Sequence, residues 1–473
     1  MTQREGFGLE PSGRPDALFH RLSRESRFGF GSSGSRLLLA GLLAAASSAP
    51  AGGETLRLSL RDAVARALSD GTTVRIATEH ITRAQAQARE ARADLLPQLR
   101  GEAQGANESL NLETFGFNSS ALGIGPVVGP FSLLDFHLVA ALRVVDFAAM
   151  RRWDAARQGV TVSMVERRRA ENDVIAAVAG LYVEFQRAQA AVENAAANVE
   201  LFGRLRDLAE DQRRSGVGTR VDTTRAEVAL ARQRTAWLSA QNARDAAGLA
   251  LLHAIGANQS VTLELTDPPE SENLAAPPVE DALARARADR PELESLAAQR
   301  RAEELQASAE RGERLPTFSA QFQGGYNGNH IGDLLWTRQI VGLVGVPIFS
   351  GGRISAREAE ANSRIRELDL QRVDLERQVE EEVRRAILDY ESARERSRVA
   401  NESLALAREE LELSRDRFTN GVASSIEVDN AQDSLVSAQA DRIAAAADRE
   451  RARFALWRAT GQIRDLAAPR EAP

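Results

Sequence analysis

Leu315-Pro316-Thr317-Phe318-Ser319-Ala320-Gln321-Phe322-Gln323-Gly324-Gly325-Tyr326-Asn327-Gly328-Asn329 is the stretch on which the reading of the whole chain turns. Proline cannot continue a helix, and it biases the residue before it toward extended geometry. Beyond it Phe318, Ala320, Phe322 and Tyr326 fall on one face and Ser319, Gln321 and Gln323 on the other, the period-two alternation of a strand. Asn327-Gly328-Asn329 supplies turn chemistry. A partner strand returns from about Trp336 to Phe349, with Ile340, Val344, Val346 and Ile348 in alternate positions. Such a two-faced hairpin fits a membrane barrel with lipid outside and water within. It fits equally an antiparallel sheet packed on a soluble core.

Outward from this hairpin the chain repeats itself. A helical stretch also ends in Leu96-Pro97, and Gln98, Arg100, Glu102 and Gln104 then alternate with small or apolar residues before Phe136 to Phe147 returns. Arg214-Ser215-Gly216-Val217 corresponds to Thr419-Asn420-Gly421-Val422, followed at equal offsets by Val221 and Ile426, Asp222 and Glu427, Ala226 and Ala431, Leu230 and Leu435. The chain reads as a tandem duplication. Each half runs helix, two strands, a very long helix, a glycine turn and a returning helix. The first repeat is placed at 55–261, with strands over about 97–147 and long helices over about 148–257. A proline-bearing linker follows at 262–278. The second repeat is placed at 279–463, with strands over about 316–349 and long helices over about 353–460, and 464–473 is left as a tail. The helix from about Arg353 to Thr419 would be roughly 100 Å long. Ile365, Val379, Ala386, Ala393, Ala400 and Ala407 recur along it at sevens, interrupted by Arg372, which predicts a packed helix face with a flaw.

Composition narrows the function. The 473 residues include only 16 Phe, 3 Tyr and 4 Trp, the bias of long packed helices rather than of a mixed α/β core. The formal charge of -7, with no basic stripe, argues against nucleic acid. The absence of cysteine excludes disulfides, thiolate metal sites and a cysteine nucleophile. His20, His80, His137, His253 and His330 are scattered, and no motif supplies a catalytic cluster or metal-ligand spacing. The expectation is no catalytic residue, no metal and no cofactor. Arg21, Arg24, Arg27 and Arg36 precede an apolar run from Leu37 to Ala46, and Ala49-x-Ala51 suits a signal peptidase, so 1–51 is read as leader and signal peptide. The run is shorter than the ~20 residues of a membrane-spanning helix, and any insertion must use strands. This context favours the barrel. The smallest outer-membrane barrels use about eight strands, more than the four these hairpins supply, and unpaired edges cannot sit in lipid. The chain must therefore associate with further copies.

Val346-Pro347-Ile348-Phe349-Ser350-Gly351-Gly352-Arg353 resembles the strand-to-helix junction of TolC-type outer-membrane efflux proteins. Arg417-Phe418-x-x-Gly421-Val422 with Ile426, Glu427 and Ala431 resembles the tip of their second repeat. Arg214-Ser215-Gly216-Val217-Gly218-Thr219 with Asp222 resembles the tip of the first, and Leu58 to Leu68 their first short helix. The resemblance covers about residues 55–463. It implies a mainly α fold of tandem long antiparallel helix pairs with two β-hairpins per chain, assembled as a homotrimer with a twelve-strand barrel in outer-membrane lipid and an α-helical tunnel in the periplasm. It further implies a passive conduit for export, fed by an inner-membrane pump through a periplasmic adaptor that docks on Gly216, Val217, Gly218, Phe418, Gly421 and Val422. Pro347, Phe349, Gly351 and Gly352 would form the junction.

The family narrows its inner mouth with acidic residues near the second tip. Glu427 matches the first such position. The second falls at Asn430, beside Asp429, and Asp222 is the acid of the first tip. An arginine that some members carry in this turn falls at Ala423. Three copies of Glu427 around a narrow mouth would attract cations; alternatively Glu427 and Asp222 favour the starts of the returning helices through the dipole. The first junction, Val145-Asp146-Phe147, lacks the double glycine and suggests a gentler bend. A rival reading, an exported coiled-coil scaffold, explains the long helices but not the hairpins placed alike in both halves.

Overall fold

The computed structural model describes residues 55–116, 123, 125–268, 275–420, 422 and 424–468. The signal-peptide segment 1–51 and Gly421 lie outside the described residues. In chain order the elements are β1 (Thr55–Leu58), α1 (Leu60–Asp70), α2 (Thr72–Ala93), β2 (Gln98–Asn111), β3 (Val127–Val145), α3 (Phe147–Arg214), α4 (Arg220–Ala254), β4 (Thr262–Leu265), α5 (Val279–Asp289), α6 (Pro291–Gly312), β5 (Thr317–Gly328), β6 (Leu335–Gly345), α7 (Arg353–Thr419) and α8 (Ser425–Ala459). The duplication is visible in helix lengths alone. α1 and α5 have 11 residues each, α2 and α6 have 22, α3 and α7 have 68 and 67, and α4 and α8 have 35.

Two sequence expectations are corrected. The segment 262–278 is not wholly linker, because β4 pairs in parallel with β1, Leu58 opposite Leu265. Its Thr-Leu-Glu-Leu alternation turns Leu263 and Leu265 toward the core, a signal masked by the prolines that follow. Nor is the start of the 464–473 segment a tail, since Leu466 is buried in that same core beside Ile463; 469–473 lie outside the described residues. There Tyr182 of α3 donates its hydroxyl to the Leu58 carbonyl oxygen at 3.3 Å and to Asp267 Oδ2 at 3.0 Å. Burial, with the Asp267 carboxylate beside it, pushes that phenol well above its ordinary value. A mostly apolar environment disfavours the phenolate, so Tyr182 stays a neutral strut.

The helices form lanes. α6 and α8 each pack against both α3 and α7, whereas α2 and α4 pack on α3. The helix contacts thus run α4–α3–α8–α7, and at the glycine turns all four helices close on one cavity. The α7–α8 seam is built from Leu404, Ala407 and Leu411 against Val428, Ala431, Leu435 and Ala438, a heptad arrangement. Val379, Ala386, Ala393, Ala400 and Ala407 are all buried, while Ile365 is half-exposed and Arg372 exposed. The flaw thus falls where α7 has yet to meet α8. Val399, Leu406 and Leu413 stand two residues, about 200°, from the seam positions and remain exposed. α4 behaves alike, with Leu230 and Leu251 buried but Val228 and Leu249 exposed. α4 and α7 therefore each carry exposed apolar residues.

The four long strands form one antiparallel sheet in the order β2-β3-β5-β6. Its register places Phe318, Ala320, Phe322 and Tyr326 opposite Val344, Gly342, Ile340 and Trp336, and joins them to Phe136, Leu138 and Ala140 on β3 and Ala103, Gly101 and Leu99 on β2. The other face is more polar, carrying Gln321, Gln323 and Asn327, the paired Asp135 and His137, and Glu102 and Gln104, with Val139, Leu335, Val341 and Leu343 among them. Leu138 is 51% exposed and its neighbour Val139 2%, so the sheet curls round its polar face. At Gly325 a Cβ would sit 1.9 Å from the Phe136 carbonyl oxygen; only glycine lets β3 approach there. Arg338, opposite Gly324, is the one charged residue on the apolar face among the described residues. It lies two positions from Trp336, near the end of the band, where a long side chain reaches the interface at small cost.

Candidate functional site

Two regions gather the residues singled out from sequence. The first is the pair of hairpin tips. After α3, Gly216 adopts φ 78°, and the amides of Val217 and Gly218 donate to the Gln212 carbonyl oxygen at 3.0 and 2.9 Å. This is the αL closure of a helix end that favours glycine. A Cβ on Gly218 would come within 3.1 Å of the Arg213 amide nitrogen. After α7, the Val422 amide donates to the Arg417 carbonyl oxygen at 2.9 Å, the same five-residue closure. The turns leave Val217 81% and Val422 71% exposed, each followed by a second exposed apolar residue, Val221 or Ile426.

The acids of the two tips do different jobs. Asp222 closes a capping box with Thr219: its Oδ2 accepts from the Thr219 amide at 3.1 Å and hydroxyl at 2.6 Å, while the Thr219 hydroxyl oxygen accepts from the Asp222 amide at 3.3 Å. This is the ordinary start of a helix. At the second tip no such side-chain cap forms on Ser424. Glu427 instead reaches back across the turn to Arg417, 3.1 Å away. Asn430 is exposed.

Asp222, Phe418 and Asp429 converge. They line one cavity of about 300 Å³ between the tips, walled by Leu201, Phe202 and Leu205 of α3, Arg225 of α4, Arg415 of α7 and Val428 of α8. Burial holds the Asp429 carboxyl above its ordinary value; Arg225 opposes this, and Asp433 and Asp222 reinforce it. Burial also pulls the Arg415 guanidinium below its usual range, with Arg204 adding like-charge repulsion. Sequence reading did not single out Arg415 or Arg225. Their only signal was a basic residue one step past the buried Ser414 and one three residues after Asp222.

The second region is the foot of the sheet. Gly351 and Gly352 adopt φ 59° and 81°, so the chain turns sharply from β6 through Pro347 into α7, leaving Ile348 and Phe349 almost fully exposed. At the first junction Asp146 alone links β3 to α3 and caps the helix, its Oδ1 accepting from the Ala149 amide at 2.9 Å. No helix among the described residues is long and apolar enough to cross a membrane. No group of three or more His, Asp or Glu there could hold a metal ion.

A sheet apolar on its outer face and polar on its inner, with open edges and set on two long helical hairpins, defines a subunit of an outer-membrane channel. Residues 63–257 and 282–462 match the outer membrane efflux protein family, and the chain belongs to it. The chain is a channel subunit of the outer membrane that extends into the periplasm. The family is one of transport proteins, whose members generally form trimers and work with adaptors and inner-membrane pumps. Solved structures share the fold. Outer membrane protein VceC of Vibrio cholerae has a TM-score of 0.71 at 20% identity, covering 85% of this chain and 96% of that one. The open state of the MtrE outer membrane channel of Neisseria gonorrhoeae has 0.70 at 21%, covering 85% and 88%. CusC, described in connection with transmembrane channel formation, has 0.74 at 20%, covering 85% and 92%. No curated relative matches this chain.

Proposed function

We propose that three copies of this chain form a passive export duct, and that the exposed valines of the tips receive a periplasmic adaptor leading to an inner-membrane pump. The observation that carries this reading is the pair of unsatisfied surfaces on each chain. The open edges of β2 and β6 must be paired in lipid, and α4 and α7 each keep apolar residues exposed in the single chain. One head-to-tail contact, β6 to β2 and α7 to α4 of the next copy, covers both and closes a ring. The test is membrane fractionation of the full-length protein followed by sizing in mild detergent. Recovery in the outer membrane at the mass of three mature chains is expected; a soluble monomer would overturn the reading and leave an exported coiled-coil scaffold.

Val217 and Val422 would be the anchors of the adaptor contact, with Gly216 and Gly218 shaping the first turn and Phe418 behind the second. Val217→Asp with Val422→Asp buries two charges in that contact. Export in cells is expected to fall at least tenfold while single-channel conductance in lipid bilayers is unchanged; loss of both together would mean a folding defect instead.

The inner mouth would be governed by Glu427, Asp429, Asn430 and Asp222. The Arg417–Glu427 pair is solvent-exposed and contributes roughly 1 kcal/mol or less per chain. Both residues belong to the second hairpin, so Glu427→Gln should cost that tip no more than this and leave the pairing of the two hairpins unchanged. Asp429 imposes a pH dependence of definite sign. Its carboxyl binds a proton more tightly in the assembled tips than apart, so closure strengthens as pH falls through its raised value and weakens as pH rises above it. Conductance is expected to drop on acidification. Asp429→Asn should close the mouth partly at neutral pH and remove that component of the titration. An unchanged pH profile in the variant would rule Asp429 out.

A further inference from the structure

We propose that the cavity between the two hairpin tips is a binding site for a small amphiphilic monoanion, one carboxylate on an apolar body, and that such a ligand holds the duct closed. The inference rests on the channel reading for its consequence but not for the binding itself. All four helices of the tips contribute walls, so a molecule seated there touches both hairpins at once and binds only while they are together. By linkage it must favour that state. The floor is apolar, formed by Leu201, Phe202, Leu205, Phe418 and Val428. At about 300 Å³ the space lies at the small end of ligand pockets.

The charge requirement comes from Arg415. Its Nε is buried without a hydrogen-bond partner, and the charge that acts on it is another cation, Arg204. The other basic groups of the cavity are occupied: Arg204 donates to Glu200 at 2.9 Å, and Arg225 acts on Asp429. Arg415 is half-buried beside this apolar space, and such a cation gains most from a planar carboxylate, which guanidinium binds bidentately. Asp222 and Asp429, which also line the cavity, disfavour a dianion. Asp222 is moreover engaged by Thr219. One negative charge, placed beside Arg415, is what the lining admits.

Naphthalene-2-carboxylate is a suitable probe, with the neutral 2-naphthamide as its control. The full-length protein in lipid nanodiscs would be titrated calorimetrically, with protein-free discs subtracted. In parallel, channels in planar bilayers would be recorded with the probe on the tip side. Saturable binding that lengthens closed times is expected. The amide, and the carboxylate on Arg415→Gln, should each bind about ten- to a hundredfold more weakly, the usual worth of a hydrogen bond to a charged group. Leu208→Trp, which fills the cavity from its rim, should abolish binding without removing the cation. Equal affinity for acid and amide, or wild-type affinity in Arg415→Gln, overturns the site. Binding with unaltered closed times overturns the closure role. A preparation that binds the acid selectively but conducts no current keeps the site and sinks the channel reading instead.

Discussion

Phe322→Arg is expected to remove the chain from the outer membrane, whereas Gln321→Arg, one residue away, should leave assembly intact. Phe322 lies opposite Ile340, midway between Phe318 and Tyr326 on the apolar face, so its side chain meets the middle of the bilayer. An arginine there costs about 2–4 kcal/mol per chain, and a ring of three copies bears it three times over. A total of this size competes with the whole stability of an ordinary domain. Gln321 points to the polar face with Gln323 and Asn327, where a guanidinium meets water. Because strand side chains alternate strictly, neighbouring substitutions should give opposite results. Outer-membrane recovery and heat-modifiable migration on gels read the outcome. Equal tolerance of both would mean that the apolar face does not meet lipid.

Leu406→Glu combined with Leu413→Glu should yield a folded chain that no longer trimerises. Both leucines are more than half exposed in the single chain and sit on the flank of α7 opposite its seam with α8. Covering a leucine contributes about 1.5–3 kcal/mol; the double variant forfeits two such terms at each of three contacts and adds carboxylates that must be desolvated. Leu404, Ala407 and Leu411 are untouched, so α7–α8 pairing and far-UV helicity should persist. Sizing in mild detergent is expected to give the monomer mass. A retained trimer would exclude the α7 flank as a subunit contact. Leu411→Ala is the contrasting change, since it opens a cavity in the seam itself and should cost about 2–5 kcal/mol of stability within one chain.

Local pattern carried much of the architecture. The period-two run after Pro316, the heptad of small residues after Arg353 and the two glycine turns depend on interactions a few residues long, and each leaves its period in the sequence. The equal offsets of Val221 and Ile426, both exposed, and of Leu230 and Leu435, both buried, made the duplication legible for the same reason. The parallel pairing of β1 with β4 was not legible, because its partners lie about two hundred residues apart and a four-residue strand has too few alternations to outweigh nearby prolines.

The tips divide in the same way. Sequence alone determined that two acids follow the two glycine turns at equal offsets, and that each could start a helix. Only the tertiary structure decided that Asp222 caps α4 with Thr219 while Glu427 leaves that role to pair with Arg417. It alone brought Asp429, Asp222, Phe418 and Arg415 to one cavity. Helix caps and strand faces are set by neighbours in the chain, which a sequence displays. A cavity among four helices is set by how two hairpins pack, and the residues that line it come from segments about two hundred positions apart.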